Sequence, residues 1–93
     1  MQLIRQTHIY GGIQKLYYAP NGYGASVVKH AASYGYNDDL WELAVIKWSA
    51  NPTKTSNVAF IIVYDTPITD NVIGCLSEED IPAILQKIEE LPS

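Results

Sequence analysis

The chain has 93 residues, 47% hydrophobic and 17% charged, which excludes a disordered polypeptide and fits a single domain, residues 1–93, with a modest core. No apolar run approaches the roughly 18–20 residues of a membrane span, and the first residues lack the apolar core of a secretion signal, so a cytoplasmic protein is expected. Net charge is −4, unevenly placed: residues 1–36 hold Arg5, Lys15 and Lys29 and no acid, whereas residues 37–93 set three bases against ten acids, or −7, which argues against a general nucleic-acid binder with a broad basic face.

In chain order, "LIRQTHIY" (3–10) is a strand candidate that Gly11 and Gly12 break. "IQKLYYA" (13–19) is a second, and Pro20-Asn21-Gly22 supplies turn chemistry, with Pro fixing φ and Asn-Gly tolerating positive φ. "GASVVKHAA" (24–32) is the returning strand of that hairpin. "LWELAVIKW" (40–48) is the clearest strand, with Trp41, Leu43 and Val45 on one face and Leu40, Ala44, Ile46 and Trp48 on the other. "NVAFIIVYD" (57–65) repeats the pattern, so both strands read as central and covered on both faces; a sheet with one wet face alternates apolar and polar. "SANPTKTS" between them and "DTPITDN" (65–71) read as loops, and "VIGCL" (72–76) as a short strand or extended lead-in.

"SEEDIPAILQKIEEL" (77–91) predicts the helix. Ile81, Ile84, Leu85, Ile88 and Leu91 form one apolar stripe at helical spacing, while Glu78, Glu79 and Asp80 suit the positive end of the helix dipole. Pro82 fits poorly in a helix capped by Ser77 and better in one that starts after Asp80, with 77–80 as a separate turn. The expected fold is therefore α+β: an antiparallel sheet of about five strands with one C-terminal helix packed on one face. One helix covers one face, so the doubly apolar strands call for a second cover: the N-terminal segment folded back, a partner protein, or a second copy of the chain. A homodimer over that face is the expectation.

Familiar catalytic and cofactor signatures are absent, and no cofactor is expected. Cys75, the sole cysteine, excludes an internal disulfide and reads as a small buried hydrophobe. His30 with Asp38 or Asp39 suggests acid–base chemistry, set against the plainer reading of a strand histidine. Asp65, Asp70 and Asn71 read as turn formers, their spacing being wrong for a calcium loop. The acids at the start and end of the helix either cap and solvate it or imitate a phosphate backbone toward a basic groove.

Seven tyrosines are unusual in 93 residues, and Tyr23, Tyr34 and Tyr36 lie in "NGYG" and "SYGYN", the Tyr-Gly-Ser-Asn mixture of recognition loops. The competing reading is cross-strand packing, and adjacent Tyr17 and Tyr18 must face opposite sides of a sheet.

The strings "YGYNDDLWELAVIKW" and "YDTPITDNVIGCLSEEDI" resemble small, acidic, cysteine-poor bacteriophage accessory proteins over about residues 20–90. That resemblance, of which anti-CRISPR and other anti-defence proteins are the best-known group, implies a stoichiometric inhibitor of a host protein acting in the host cytoplasm, and brings no functional residue with it. The expected function is non-enzymatic binding and inhibition of a host nucleic-acid-processing or defence complex. Tyr23, Tyr34 and Tyr36 are its candidate anchors, and Asp38, Asp39, Glu78, Glu79 and Asp80 its candidate charged contacts. The alternatives are a small-ligand or nucleotide-binding module in which Tyr stacks and Lys15 or Lys29 meets phosphate, and a small enzyme built on His30.

Overall fold

The computed structural model describes residues 1–9, 11–29, 40–53, 58–69 and 72–92. These form strands β1 (Gln2–Ile9), β2 (Gly12–Tyr18), β3 (Tyr23–Lys29), β4 (Trp41–Trp48), β5 (Phe60–Ile62) and β6 (Ile73–Leu76), a 3₁₀ turn at Glu78–Asp80, and helix α1 (Ile81–Glu89). All strand pairs are antiparallel in the order β1-β2-β3-β4-β5, and β6 also pairs with β4. The fold is α+β, one sheet with one C-terminal helix, as the periodicities indicate.

Register explains the two faces. Tyr17 lies opposite Ala25, and Ala25 opposite Val45, so odd-numbered residues of β2, β3 and β4 share one face. There Ala25, Val27, Trp41, Leu43 and Val45 form a core with Leu76, Ile81, Ile88 and Leu91. The helical stripe thus docks as its spacing requires: Ile81, Ile88 and Leu91 are buried, with Ile84 and Leu85 half-buried at the margin. Pro82 takes the second position of α1, where its missing N–H breaks no helical bond. The Asp80 carboxylate turns back to accept from the Ser77 N–H at 3.1 Å and Oγ–H at 3.0 Å, closing the 3₁₀ turn ahead of the helix.

The even-numbered face differs from expectation. Val28, Ala44, Ile46 and Trp48 are already buried within the single chain, and a second cluster joins Leu16, Ile46 and Trp48 to Tyr18, Val58 and Phe60. The N-terminal segment does not fold across it; it is β1, in the sheet. A homodimer over β3 and β4 therefore loses the uncovered apolar face on which it was expected.

Two elements need correction. The segment 57–65 is not a second central strand: its ladder is limited to Phe60–Ile62, opposite the last residues of β4, and β6 pairs with the first half of that same β4 edge. Nor is Cys75 buried. Trp41 pairs with Leu76 and Leu43 with Ile73, so Gly74 and Cys75 together oppose Glu42 in a bulge, and Cys75 is exposed with φ 57°, the left-handed region.

Candidate binding surfaces

The β2–β3 connection ties the loop that precedes Tyr23 to the helix. The Gly22 N–H donates to the Ala19 carbonyl at 3.0 Å, and Gly22 (φ 89°) takes the one left-handed position of this turn. The Asn21 side-chain oxygen accepts from the Tyr23 N–H at 3.1 Å. Its amide nitrogen reaches the last turn of α1, 2.9 Å from the Ile88 carbonyl, 3.3 Å from that of Glu89 and 3.0 Å from that of Leu91. Asn21 thus adds a side-chain donor at the helix end, where the Ile88 carbonyl also accepts from the Leu91 N–H at 3.2 Å.

Tyr23 consequently lies against the helix-side core, half-buried, with the Lys47 ammonium 5.0 Å from its ring centroid. Glu78, Glu79 and Asp80 are exposed at the other end of α1, and nine residues of helix, about 13 Å, separate the two ends. The structure therefore does not bring Tyr23 together with the helix-start acids, and Asp80 is engaged in its own turn. Tyr34, Tyr36, Asp38 and Asp39, like His30, lie outside the described residues.

Among the described residues, the most exposed apolar surface is one the sequence pattern assigned to the interior. Ile61 is 67% exposed, Ile62 41% and Tyr64 52%. The Val63 N–H donates to the Val45 carbonyl at 2.8 Å and the Ser49 N–H to the Ala59 carbonyl at 2.9 Å, with Lys47 opposite Ile61 between them. Residues 59, 61 and 63 therefore turn their main-chain groups toward β4, and Phe60, Ile62 and Tyr64 turn theirs outward. No strand among the described residues pairs with that outer edge. The run "VAFIIVY" (58–64) carries no charge and no proline, the devices that ordinarily blunt an edge. Beside it lies an open groove of about 280 Å³ lined by Lys47, Trp48, Ser49, Ala59, Phe60 and Ile61, its floor set by the edge-on packing of Trp48 and Phe60, ring centroids 5.1 Å apart.

At the opposite end of β4, about 23 Å away along the strand, a second groove of about 270 Å³ is lined by Lys15, Tyr17, Val27, Trp41, Glu78, Ile81, Pro82 and Leu85. The ammoniums of Lys15 and Lys29 lie 4.9 and 4.6 Å from the Trp41 ring centroid. Trp41 is 3% exposed, and its indole N–H is buried with no hydrogen-bond partner among the described residues, whereas the Trp48 indole donates to the Tyr17 carbonyl at 3.0 Å. Burial pushes the Tyr17 hydroxyl above its usual pKa, so it stays a neutral donor and acceptor well into the alkaline range.

Among the described residues no three of His, Cys, Asp and Glu cluster to hold a metal ion, and no helix is long and apolar enough to cross a membrane. Comparison with protein-family models, curated proteins and solved structures finds no match to this chain.

Proposed function

We propose that this is a non-catalytic binding protein that takes an extended segment of a host protein alongside β5. The observation that carries the reading is the open edge at Phe60–Ile62: outward main-chain groups flanked by exposed Ile61, Ile62 and Tyr64, next to an apolar groove. Strand addition draws affinity from main-chain hydrogen bonds and specificity from pockets that receive alternate side chains, and this edge offers both. The occupant is apolar and extended, because the edge offers no charge between residues 58 and 64.

The wider reading is inhibition of a host nucleic-acid-processing or defence protein. Its support is the resemblance to phage accessory proteins and the surplus of acid after residue 36, with Glu78 and Glu79 exposed to steer a basic partner. Tyr34, Tyr36, Asp38 and Asp39 belong to the same proposal as further contacts.

The test pairs capture from host lysate with an edge variant. Ile61→Lys with Ile62→Lys, both at exposed positions, leaves the core intact; the expected result is loss of the partner that the unaltered protein captures. Glu79→Lys should keep that partner and slow its association at low salt. Retention of the partner by the edge variant, with its fold verified by circular dichroism, overturns docking at β5. Sedimentation of the isolated protein distinguishes the remaining occupant: dimerisation abolished by the same variant would assign the edge to a second copy instead.

A further inference from the structure

The pair Asn21-Gly22 carries a chemistry that its structural role does not use. It is the one asparagine of the chain followed by glycine. In that dipeptide a side-chain amide is most open to attack by its own backbone, because a residue without Cβ leaves its nitrogen free to reach the asparagine Cγ. Attack forms a bond from the Gly22 nitrogen, which gives up its proton, to Asn21 Cγ. The Cγ–Nδ2 bond breaks and the amide nitrogen leaves as ammonia. Water then opens the five-membered succinimide at either carbonyl, leaving aspartate or isoaspartate. One water is consumed and one ammonia released, with no oxidant, metal or second protein.

Each group in that reaction is engaged elsewhere in the folded chain. The leaving Nδ2 donates to the carbonyls of Ile88, Glu89 and Leu91 at 2.9, 3.3 and 3.0 Å, and Oδ1 accepts from the Tyr23 N–H at 3.1 Å. The attacking Gly22 nitrogen donates its hydrogen to the Ala19 carbonyl at 3.0 Å, and the Gly22 carbonyl accepts from the Trp48 N–H at 3.0 Å, which pins the peptide to β4. Ring closure has to break these bonds, so the β2–β3 turn and the end of α1 must part. That is a local opening, resisted by Ile88 and Leu91, both buried in the helix-side core.

We infer that Asn21-Gly22 is a self-modification site that deamidates at a rate set by how often the end of α1 opens. The reaction is one-way. The carboxylate product cannot donate to the helix-end carbonyls and lies at the negative end of the helix, so a chain that has reacted does not close as before. Isoaspartate also adds a carbon to the main chain just before Gly22, which displaces Tyr23 from its register in β3. The site involves no residue of the β5 edge and stands or falls independently of docking there.

The test incubates the full chain at neutral pH, folded and in guanidinium chloride, and follows the tryptic peptide Leu16–Lys29, which Lys15 and Lys29 bracket and in which Asn21 is the sole asparagine. Mass spectrometry reads the replacement of amide by carboxyl, and chromatography separates aspartate from isoaspartate. The unfolded chain is expected to react at least about tenfold faster than the folded one. Leu91→Ala, which weakens packing at the helix end, should speed the folded chain about tenfold. Asn21→Gln, whose longer side chain closes a six-membered ring far more slowly, should abolish the reaction in both states. The inference is overturned if the peptide gains no mass even in the unfolded chain, or if folded and unfolded chains react alike. It is equally overturned if Leu91→Ala, folded by circular dichroism, reacts no faster than the unaltered protein. Should that variant not fold, denaturant below the unfolding transition of the unaltered chain makes the same comparison: deamidation should rise in parallel with exchange of the Gly22 amide, and a flat rate contradicts the inference.

Discussion

At the scale of single residues, three positions carry more of the structure than their types suggest. Asn21 looks like a turn residue in "PNGYG" and is one, but its amide nitrogen also serves three carbonyls at the end of α1. Asn21→Ala should destabilise by about 1–2 kcal/mol, as helix-end carbonyls lose a buried donor, read as a lower urea midpoint with an unchanged slope. Asn21→Asp should cost at least as much, because a carboxylate cannot donate and faces the negative helix end. Gly24 is needed for room: a Cβ there would stand 2.0 Å from the Tyr17 carbonyl oxygen and 2.6 Å from the Trp48 indole nitrogen. Gly24→Ala should therefore cost about 3 kcal/mol, the upper range of overpacking, and displace the Trp48 indole resonance as its bond to Tyr17 is broken. Cys75 points the other way. With φ at 57° in an exposed bulge it holds a conformation that disfavours an L side chain by about 1–2 kcal/mol. Cys75→Gly should then raise the melting temperature, with a net gain of about 0.5–1 kcal/mol after glycine's greater unfolded-state entropy. None of these roles is legible in the sequence, since each depends on which distant segment the fold brings alongside.

At the scale of elements the sequence was more informative, and its limits are instructive. The spacing of Ile81, Ile84, Leu85, Ile88 and Leu91 identifies the buried face of α1, and the position of Pro82 separates the 3₁₀ turn from the helix, because both signals are local. Burial then ranks the stripe. Ile88 is wholly enclosed and Ile84 half-exposed, so Ile88→Ala should cost about 3–5 kcal/mol and Ile84→Ala nearer 2, measured by denaturant unfolding of both variants. Segments 40–48 and 57–65 carry the same doubly apolar pattern and have different fates. β4 lies between β3 and the β5/β6 pair and is covered on both faces, whereas β5 pairs for three residues at the margin. Periodicity reports which residues are apolar on which face; it does not report whether anything covers them. An apolar run left at an edge is for that reason the informative departure, since an uncapped edge is a hazard unless a partner occupies it. The bulge at Gly74 and Cys75 is likewise not legible in the sequence, because it depends on the register in which β6 meets β4.

At the scale of the whole molecule, β4 joins two surfaces of different chemistry. Its last residues border an apolar groove and an open strand edge, and its first tryptophan carries two ammoniums beside a mixed groove at the start of α1. Of the aromatic members of the candidate site read from the tyrosine loops, Tyr23 alone falls in the described residues, where it packs toward the core. Lys15 and Lys29 are legible in the sequence as two of the three bases in the acid-free first 36 residues, and what the fold adds is their convergence on Trp41. The central claim is that β5 is the working edge. Residue-resolved amide hydrogen exchange, on the protein alone and saturated with the partner captured from host lysate, tests it most directly. In the free protein the outward amides of Phe60 and Ile62 should exchange fast and that of Val63, bonded to Val45, slowly. In the complex, Phe60 and Ile62 are predicted to become protected while the β1 edge is unchanged. Protection confined to β1 or to α1, with Phe60 and Ile62 still exchanging as in the free protein, would contradict the account.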